Sequence, residues 1–306
     1  MSFFVNLQSN EYKCNICSCN NCFMKRFYKV ADHVFSVDSD IDTPDWMCNY
    51  SPFETAEDKE LFSLAVRNAI VERADFTEEF HQEEEGFDIS CGYTDTGQNV
   101  FEFSMGNQLI GSLVCTKDHH DATLVCDDAF KQKAVDNSLM VLYALNTATL
   151  GTALFHASVI QFRNKAYLFL GKSGTGKSTH ASLWQQYIPQ TELLNDDNPV
   201  VRIVNEEIWV CGSPWSGKTP CYKNEKYLLG GIVDLSQAPF NEIRPLRGIE
   251  AYAVLVPSIS GKRWDKDMAD GLHDFENHLA LKAPIWHLSC LPDEEAAKIC
   301  AKHVVQ

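Results

Sequence analysis

Hydrophobic and polar positions change rhythm partway along the chain. From 24 to 136, apolar residues come in short runs at 28–37, 99–103, 109–115 and 122–126, with turn-forming residues between them, and these predict β-strands. One interval, 57–73, carries Leu61, Leu64, Ala65, Asn68 and Ala69 at three- and four-residue spacing and predicts a helix. Beyond 136 the two patterns alternate. A helix is expected over 137–150, then strands over 156–162 and 166–170 around a turn at 163–165. A glycine-rich stretch follows, then a helix through Tyr187, a short strand over 192–195, and a hairpin of 200–204 with 208–211. Helical spacing returns at 247–256 and 268–281, and 285–290 predicts a strand. The last helix should start near Pro292, with Asp293, Glu294 and Glu295 where acidic groups complement the helix dipole. The expected fold class is mixed α/β. It comprises an extension over 1–23, a β-rich domain over 24–136 and an α/β domain over 137–306.

Residues 137–162 contain no Asp, Glu, Lys or Arg, a length that could span a bilayer. Asn146, Thr147, Thr149, Gly151, Thr152, His156 and Ser158 interrupt the stretch, and its period switches from helical (Leu139, Leu142, Leu145, Ala148) to strand-like (Ala157, Val159, Ile160). A buried helix followed by a strand is the better reading, and no membrane partner is expected.

Composition adds to the picture mainly through charge. The 306 residues are 45% hydrophobic and 22% charged, ordinary usage that allows a packed core. Net charge is −16, which argues against general binding to nucleic acid or to an anionic membrane. The excess lies in the first half, where 1–150 hold 10 Lys+Arg against 25 Asp+Glu. Glu78, Glu79 and Glu83 to Glu85 in that half read as a solvated acidic loop. The nearly balanced second half is the better home for an anionic ligand. The opening residues lack the apolar run of a secretory leader, so reduced thiols and a cytoplasmic setting are expected. Eight of the twelve cysteines are scattered and read as small buried hydrophobes. The other four, Cys14, Cys17, Cys19 and Cys22, are spaced C-x-x-C-x-C-x-x-C. They could hold a soft metal, although one residue between the pairs is shorter than a zinc ribbon needs. The alternative is an extension with little role in the fold.

The strongest chemical signal is the stretch Gly171, Lys172, Ser173, Gly174, Thr175, Gly176, Lys177, Ser178, followed by Thr179. It satisfies G-x-x-x-x-G-K-[ST] in full, with the apolar run YLFL before it and a helical pattern after it. Glycines let backbone N–H groups turn inward around phosphate oxygens, and the positive end of the next helix faces the same place. Lys177 would reach the β- and γ-phosphates of ATP, and the Ser178 hydroxyl would meet Mg²⁺. No N-K-x-D, D-x-x-G or LSGGQ-like motif accompanies the loop, which argues against Ras-like GTPases and transporter ATPases.

Asp196 and Asp197 end a short strand 18 and 19 residues after Ser178. Neighbouring strand positions point to opposite sides, so one carboxylate can serve Mg²⁺ and the other can act as a general base. An Asp-Asp-Asn-Pro turn in which the acids only satisfy backbone groups is the alternative. His156, 15 residues before Gly171 at the start of the preceding strand, is a third candidate beside the phosphate site, with a structural strand-end histidine as the alternative. Gly212, Ser213, Pro214, Trp215, Ser216 and Gly217 form a rigid, close-approach segment from which Ser216 and Lys218 could meet a phosphate or a substrate backbone, or a turn in which Trp215 is a core anchor. Arg244 and Arg247 read as surface ion-pair residues.

HASVI, a turn, YLFLGKSGTGKST and then NDD together resemble the catalytic domain of the HPr kinase/phosphorylase family. With GKSGTGKSTHASLW and the G-x-P-W-x-G segment, the resemblance is closer to bacterial HPr-kinase-related proteins, some of which phosphorylate a serine in a peptide precursor. It covers roughly 137–306 and implies a phosphoenolpyruvate-carboxykinase-like P-loop kinase domain behind the β-rich N-terminal domain. By position it implies Asp196 as general base, Asp197 as metal ligand with Ser178, and His156 beside the transferred phosphate. His156 is followed by Ala157 where the family has Gly, and CGSPWSGK stands where HPr kinases carry Arg-Gly-x-Gly. The expected activity is ATP- and Mg²⁺-dependent transfer of the γ-phosphate to a serine hydroxyl on a protein or peptide, with self-association left open. A small-molecule kinase and a nucleotide-binding regulator without transfer activity are the alternatives.

Overall fold

The computed structural model describes residues 25–39, 46–84, 86–217 and 219–305. The extension over 1–23, with Cys14, Cys17, Cys19 and Cys22, lies outside the described residues, as do Glu85 and Lys218. The chain divides between Asn146 and Thr147 into two compact units. Each contains a large mixed sheet, so the fold class is mixed α/β. Among the described residues, no helix is long and apolar enough to cross a membrane.

The first unit contains β1 (Arg26–Val30), β2 (His33–Ser39), β3 (Glu54–Thr55), β4 (Phe62–Asn68), β5 (Thr77–Glu84), β6 (Phe87–Tyr93), β7 (Asn99–Met105), β8 (Gln108–Cys115) and β9 (Asp121–Cys126), followed by helix α1 (Lys131–Thr147). The sheet order is β3-β1-β2-β4-β9-β8-β7-β6-β5. The run expected as one strand over 28–37 is a hairpin. Ala31 and Asp32 both take positive φ, and Val30 pairs with His33 across this two-residue turn. The helix expected over 57–73 is instead strand β4. Phe62, Leu64 and Val66 alternate on a buried face, so a period of two with a β-branched residue overrides the weaker three- and four-residue matches. The acidic stretch expected as a loop is, as far as Glu84, strand β5, at the end of the sheet order and largely exposed. Charge on an end strand is compatible with pairing on its inner side and discourages pairing on its outer side. The helix expected at 137–150 starts earlier, at Lys131, and all but its last residue group with this unit. It buries Leu139, Leu142 and Tyr143 fully, and the Tyr143 hydroxyl donates to the Val30 carbonyl at 3.1 Å.

Asp136 on α1 is buried and accepts hydrogen bonds from the Tyr50 hydroxyl at 2.7 Å and from Asn49 Nδ2 at 3.2 Å. Burial pushes its carboxyl up to about 7, against the smaller opposing effect of those two donors. The folded state therefore holds a proton that the unfolded chain releases near pH 4. Stability should fall as pH rises through that window and level off above about pH 7. Asp136→Asn should remove this slope. Relative to the parent, the variant should gain about 2–3 kcal/mol more stability at pH 8 than at pH 5 in urea unfolding. An equal change at both pH values would refute the assignment.

The second unit contains β10 (Thr152–Leu154), β11 (Ala157–Phe162), β12 (Lys165–Leu170), helix α2 (Lys177–Tyr187), β13 (Glu192–Asp197), β14 (Val200–Val204), β15 (Glu207–Cys211), β16 (Lys226–Gln237), β17 (Glu242–Leu246), α3 (Ile249–Leu255), α4 (Lys266–Lys282), β18 (Ile285–Cys290) and α5 (Glu294–Val304). The sheet order is β10-β14-β15-β16-β12-β11-β13, with β18 beside β16 and β17 beside β18. β12, β16 and β18 are parallel neighbours, whereas β11 runs antiparallel between β12 and β13. Trp184 of α2 and Cys300 and Val304 of α5 bury against Phe169, Val233 and Leu288 of the sheet. That packing fixes the direction of α2 relative to β12. Six of the eight described cysteines are buried, Cys48 and Cys290 being intermediate, and all eight are free thiols.

Candidate functional site

Strand direction brings the chemical residues to one edge of the second sheet. β12 ends at Leu170, opposite Asp234 near the end of its parallel partner β16. β13 ends at Asp197, opposite Ala157 at the start of the antiparallel β11. The glycine-rich loop leaves from that edge, and His156 immediately precedes β11.

The loop joins β12 directly to α2. Gly171, Gly174 and Gly176 take φ of 146°, 76° and 107°, values that side-chain-bearing residues rarely adopt. Lys172, Ser173 and Gly174 are exposed. Thr175 closes the turn: its backbone N–H and its hydroxyl donate to the Lys172 carbonyl at 3.1 and 2.6 Å. Lys177, the first residue of α2, is buried and curls back so that Nζ donates to the Gly171 carbonyl at 3.1 Å. Ser178 and Thr179 follow in the first helical turn and are exposed.

Two strands away from β12, the acid pair divides its contacts. Asp196 is buried, and its Oδ1 accepts a hydrogen bond from the Ser158 hydroxyl of β11. Asp197 accepts from Asn198 Nδ2 at 2.8 Å. Its φ of 155° is strained for an L residue, and it is held by pairing with Ala157 and a bridge to Ser216. The segment 212–217 backs this strand. The Gly217 N–H donates to the Asp196 carbonyl at 2.6 Å, and a Cβ there would stand 3.0 Å from that oxygen. A Cβ on Gly212 would stand 2.0 Å from the Lys223 carbonyl, so both glycines answer to close backbone approach. Trp215 is fully buried, as a core anchor would be. The His156 N–H donates to the Ser258 carbonyl at 2.9 Å. Burial, and then the charge of Lys177, push its imidazole down to about 3, so the ring is neutral at physiological pH. Arg244 forms a two-pronged exposed ion pair with Glu250 at 2.9 and 3.1 Å, and Arg247 is exposed.

On the other side of the loop lies a cavity of about 480 Å³ between residues 171–175 and Asp234, Leu235, Ser236 and Gln237 of β16. Gln237 Nε2 donates to the carbonyls of Gly174 and Thr175 at 3.1 and 3.4 Å, fastening the loop to the strand end. Behind this wall, His287 Nδ1 lies 2.8 Å from Asp234 Oδ2. Burial pushes the Asp234 carboxyl up, and His287 partly offsets this. Sequence reasoning missed Ser158 and this whole wall. The available signal was alternation: Asp234 and Ser236 are polar positions in the apolar run GGIVDLSQ, as His287 and Ser289 are in IWHLSC.

No protein-family model matches the chain, and no curated protein matches it. Among solved structures, the Hpr(Ser) kinase/phosphatase from Coxiella burnetii is similar at a TM-score of 0.30 and 12% identity, over 49% of this chain and 91% of its own. A likeness of that size identifies neither family nor activity, which leaves the chemistry of the site itself.

Proposed function

We propose that this protein is an ATP-dependent kinase that transfers a phosphoryl group to a serine hydroxyl of a protein or peptide. The observation that carries the reading is the full G-x-x-x-x-G-K-S loop between a buried strand and a helix N-terminus, with a paired-acid strand on the same sheet edge. The donor set suits the group: loop N–H donors and an ammonium for phosphate, and hard oxygens on Ser178 and Asp197 for Mg²⁺. When bound, Mg-ATP supplies the phosphoryl group and a metal charge on its oxygens.

The residues of this chain then divide the work. Lys177 offsets negative charge on the phosphates. Asp196, steadied by the Ser158 hydroxyl, takes the proton of the incoming serine. Neutral His156, close enough to feel the Lys177 charge, can donate a hydrogen bond without adding charge of its own. Segment 212–217 holds the acid strand in register through Gly217 and Ser216.

The test is transfer from γ-labelled ATP in the presence of Mg²⁺, with protein and small-molecule fractions of a cell extract offered as acceptors. Label on serine of a protein or peptide supports the proposal. Label on a metabolite would make this a small-molecule kinase, and nucleotide binding without turnover would leave a regulator.

A further inference from the structure

The polar cluster behind the cavity has the connectivity of an activated hydroxyl. Asp234 Oδ2 is 2.8 Å from His287 Nδ1, and His287 Nε2 is 3.1 Å from Ser236 Oγ. Ser289 Oγ lies 3.1 Å from Ser236 Oγ and 3.3 Å from His287 Nε2. Strand register builds the cluster: Asp234 pairs with His287 and Ser236 with Ser289 on the parallel strands β16 and β18. Alternation puts these side chains on one face, while Val233, Leu235 and Leu288 are buried.

One imidazole tautomer gives the cluster the bonding of an activated hydroxyl. With the imidazole proton on Nδ1, facing the carboxylate, Nε2 is an acceptor. Ser236, the nearer hydroxyl to Nε2 at 3.1 Å against 3.3 Å for Ser289, can then donate to Nε2 while Ser289 donates to Ser236. A hydroxyl on one imidazole nitrogen and a carboxylate on the other is the arrangement in which histidine accepts a serine proton and the carboxylate steadies the resulting cation. Ser236 lines the loop cavity and Ser289 does not. Gln237, the next residue, fastens the loop across from it. One wall of the cavity therefore presents a phosphate-binding type of loop, and the other a serine with a base behind it.

We propose that Ser236 is a phosphoryl-accepting nucleophile, with His287 as its base and Asp234 as the residue that orients His287. For the phosphoryl donor, a nucleoside triphosphate, this rests on the kinase reading above. Ser236 Oγ forms a bond to the terminal phosphorus as the bond from that phosphorus to its bridging oxygen breaks. The nucleoside diphosphate leaves with the electron pair, and the serine proton passes to His287 Nε2. The product is a phosphoserine on the protein itself.

Two reagents applied to the full chain test this, with peptide mass spectrometry as the readout. A fluorophosphonate probe reports an activated serine independently of any nucleotide and should label Ser236. His287→Gln and Asp234→Asn, each shown by thermal melting to be folded, should slow labelling at least tenfold, and Ser236→Ala should abolish it. Incubation with Mg-ATP should place phosphate on Ser236, with Mg-ATP binding followed by calorimetry on the same sample. Failure of both reagents to modify Ser236, or labelling that is unchanged in both base variants, overturns the proposal. Mg-ATP binding and probe labelling without phosphoserine overturns the phosphoryl-transfer step. Probe labelling without Mg-ATP binding counts against the kinase reading and supports the nucleophile.

Discussion

Asp196→Asn should keep Mg-ATP affinity within a few-fold while slowing phosphoryl transfer by ~10²–10⁴-fold, the usual worth of general-base assistance. The substitution is gentle on structure. The carboxamide oxygen that replaces Oδ1 can still accept the Ser158 hydrogen bond, and the strand contact from Gly217 is through the backbone. What disappears is a group able to take a proton. Asp197→Asn should behave differently, weakening Mg²⁺-dependent nucleotide binding and transfer together, because a carboxylate ligand becomes a neutral one. Calorimetric titration with Mg-ATP beside steady-state kinetics separates the two. If Asp196→Asn and not Asp197→Asn loses Mg-ATP affinity, the roles are reversed. Equal and small effects from both would leave the pair as a strained turn and sink the mechanism.

Lys177→Ala should reduce ATP affinity about 10–100-fold, the worth of a lost charge-assisted hydrogen bond, and bring transfer below detection. Lys177 is buried and its ammonium caps the Gly171 carbonyl, so the variant's melting temperature must be measured alongside. A variant that melts near the parent and has lost ATP binding fits the proposed role. Unchanged turnover would put the nucleotide site elsewhere.

The parts of the second unit legible in the sequence are those where local pattern and tertiary need coincide. An apolar strand, a glycine-rich turn and a helix with Trp184 on its inner face read as such because each local preference agrees with the packing. Strand β4 reads as a helix because Ala65, Asn68 and Ala69 fit a helical period by chance, whereas the sheet needs Phe62, Leu64 and Val66 on one side. Strand β5 reads as a loop because its side chains are mostly exposed; its pairing with β6 is a backbone property that side-chain polarity does not encode. For the wall formed by Asp234, Ser236 and His287, alternation marks the polar positions but not their pairing. That pairing depends on the register between β16 and β18, about fifty residues apart in the chain, and no local pattern specifies it.

Hydrogen exchange with and without Mg-ATP tests the central claim most directly, because it reports where the nucleotide sits without needing a known acceptor. Backbone amides of 171–179 should become protected on addition of Mg-ATP, with protection extending to 195–198 when Mg²⁺ is present, and Lys177→Ala should lose the effect. Mg-ATP binding that leaves 171–179 unprotected, or that protects a different surface of the chain, would contradict the account.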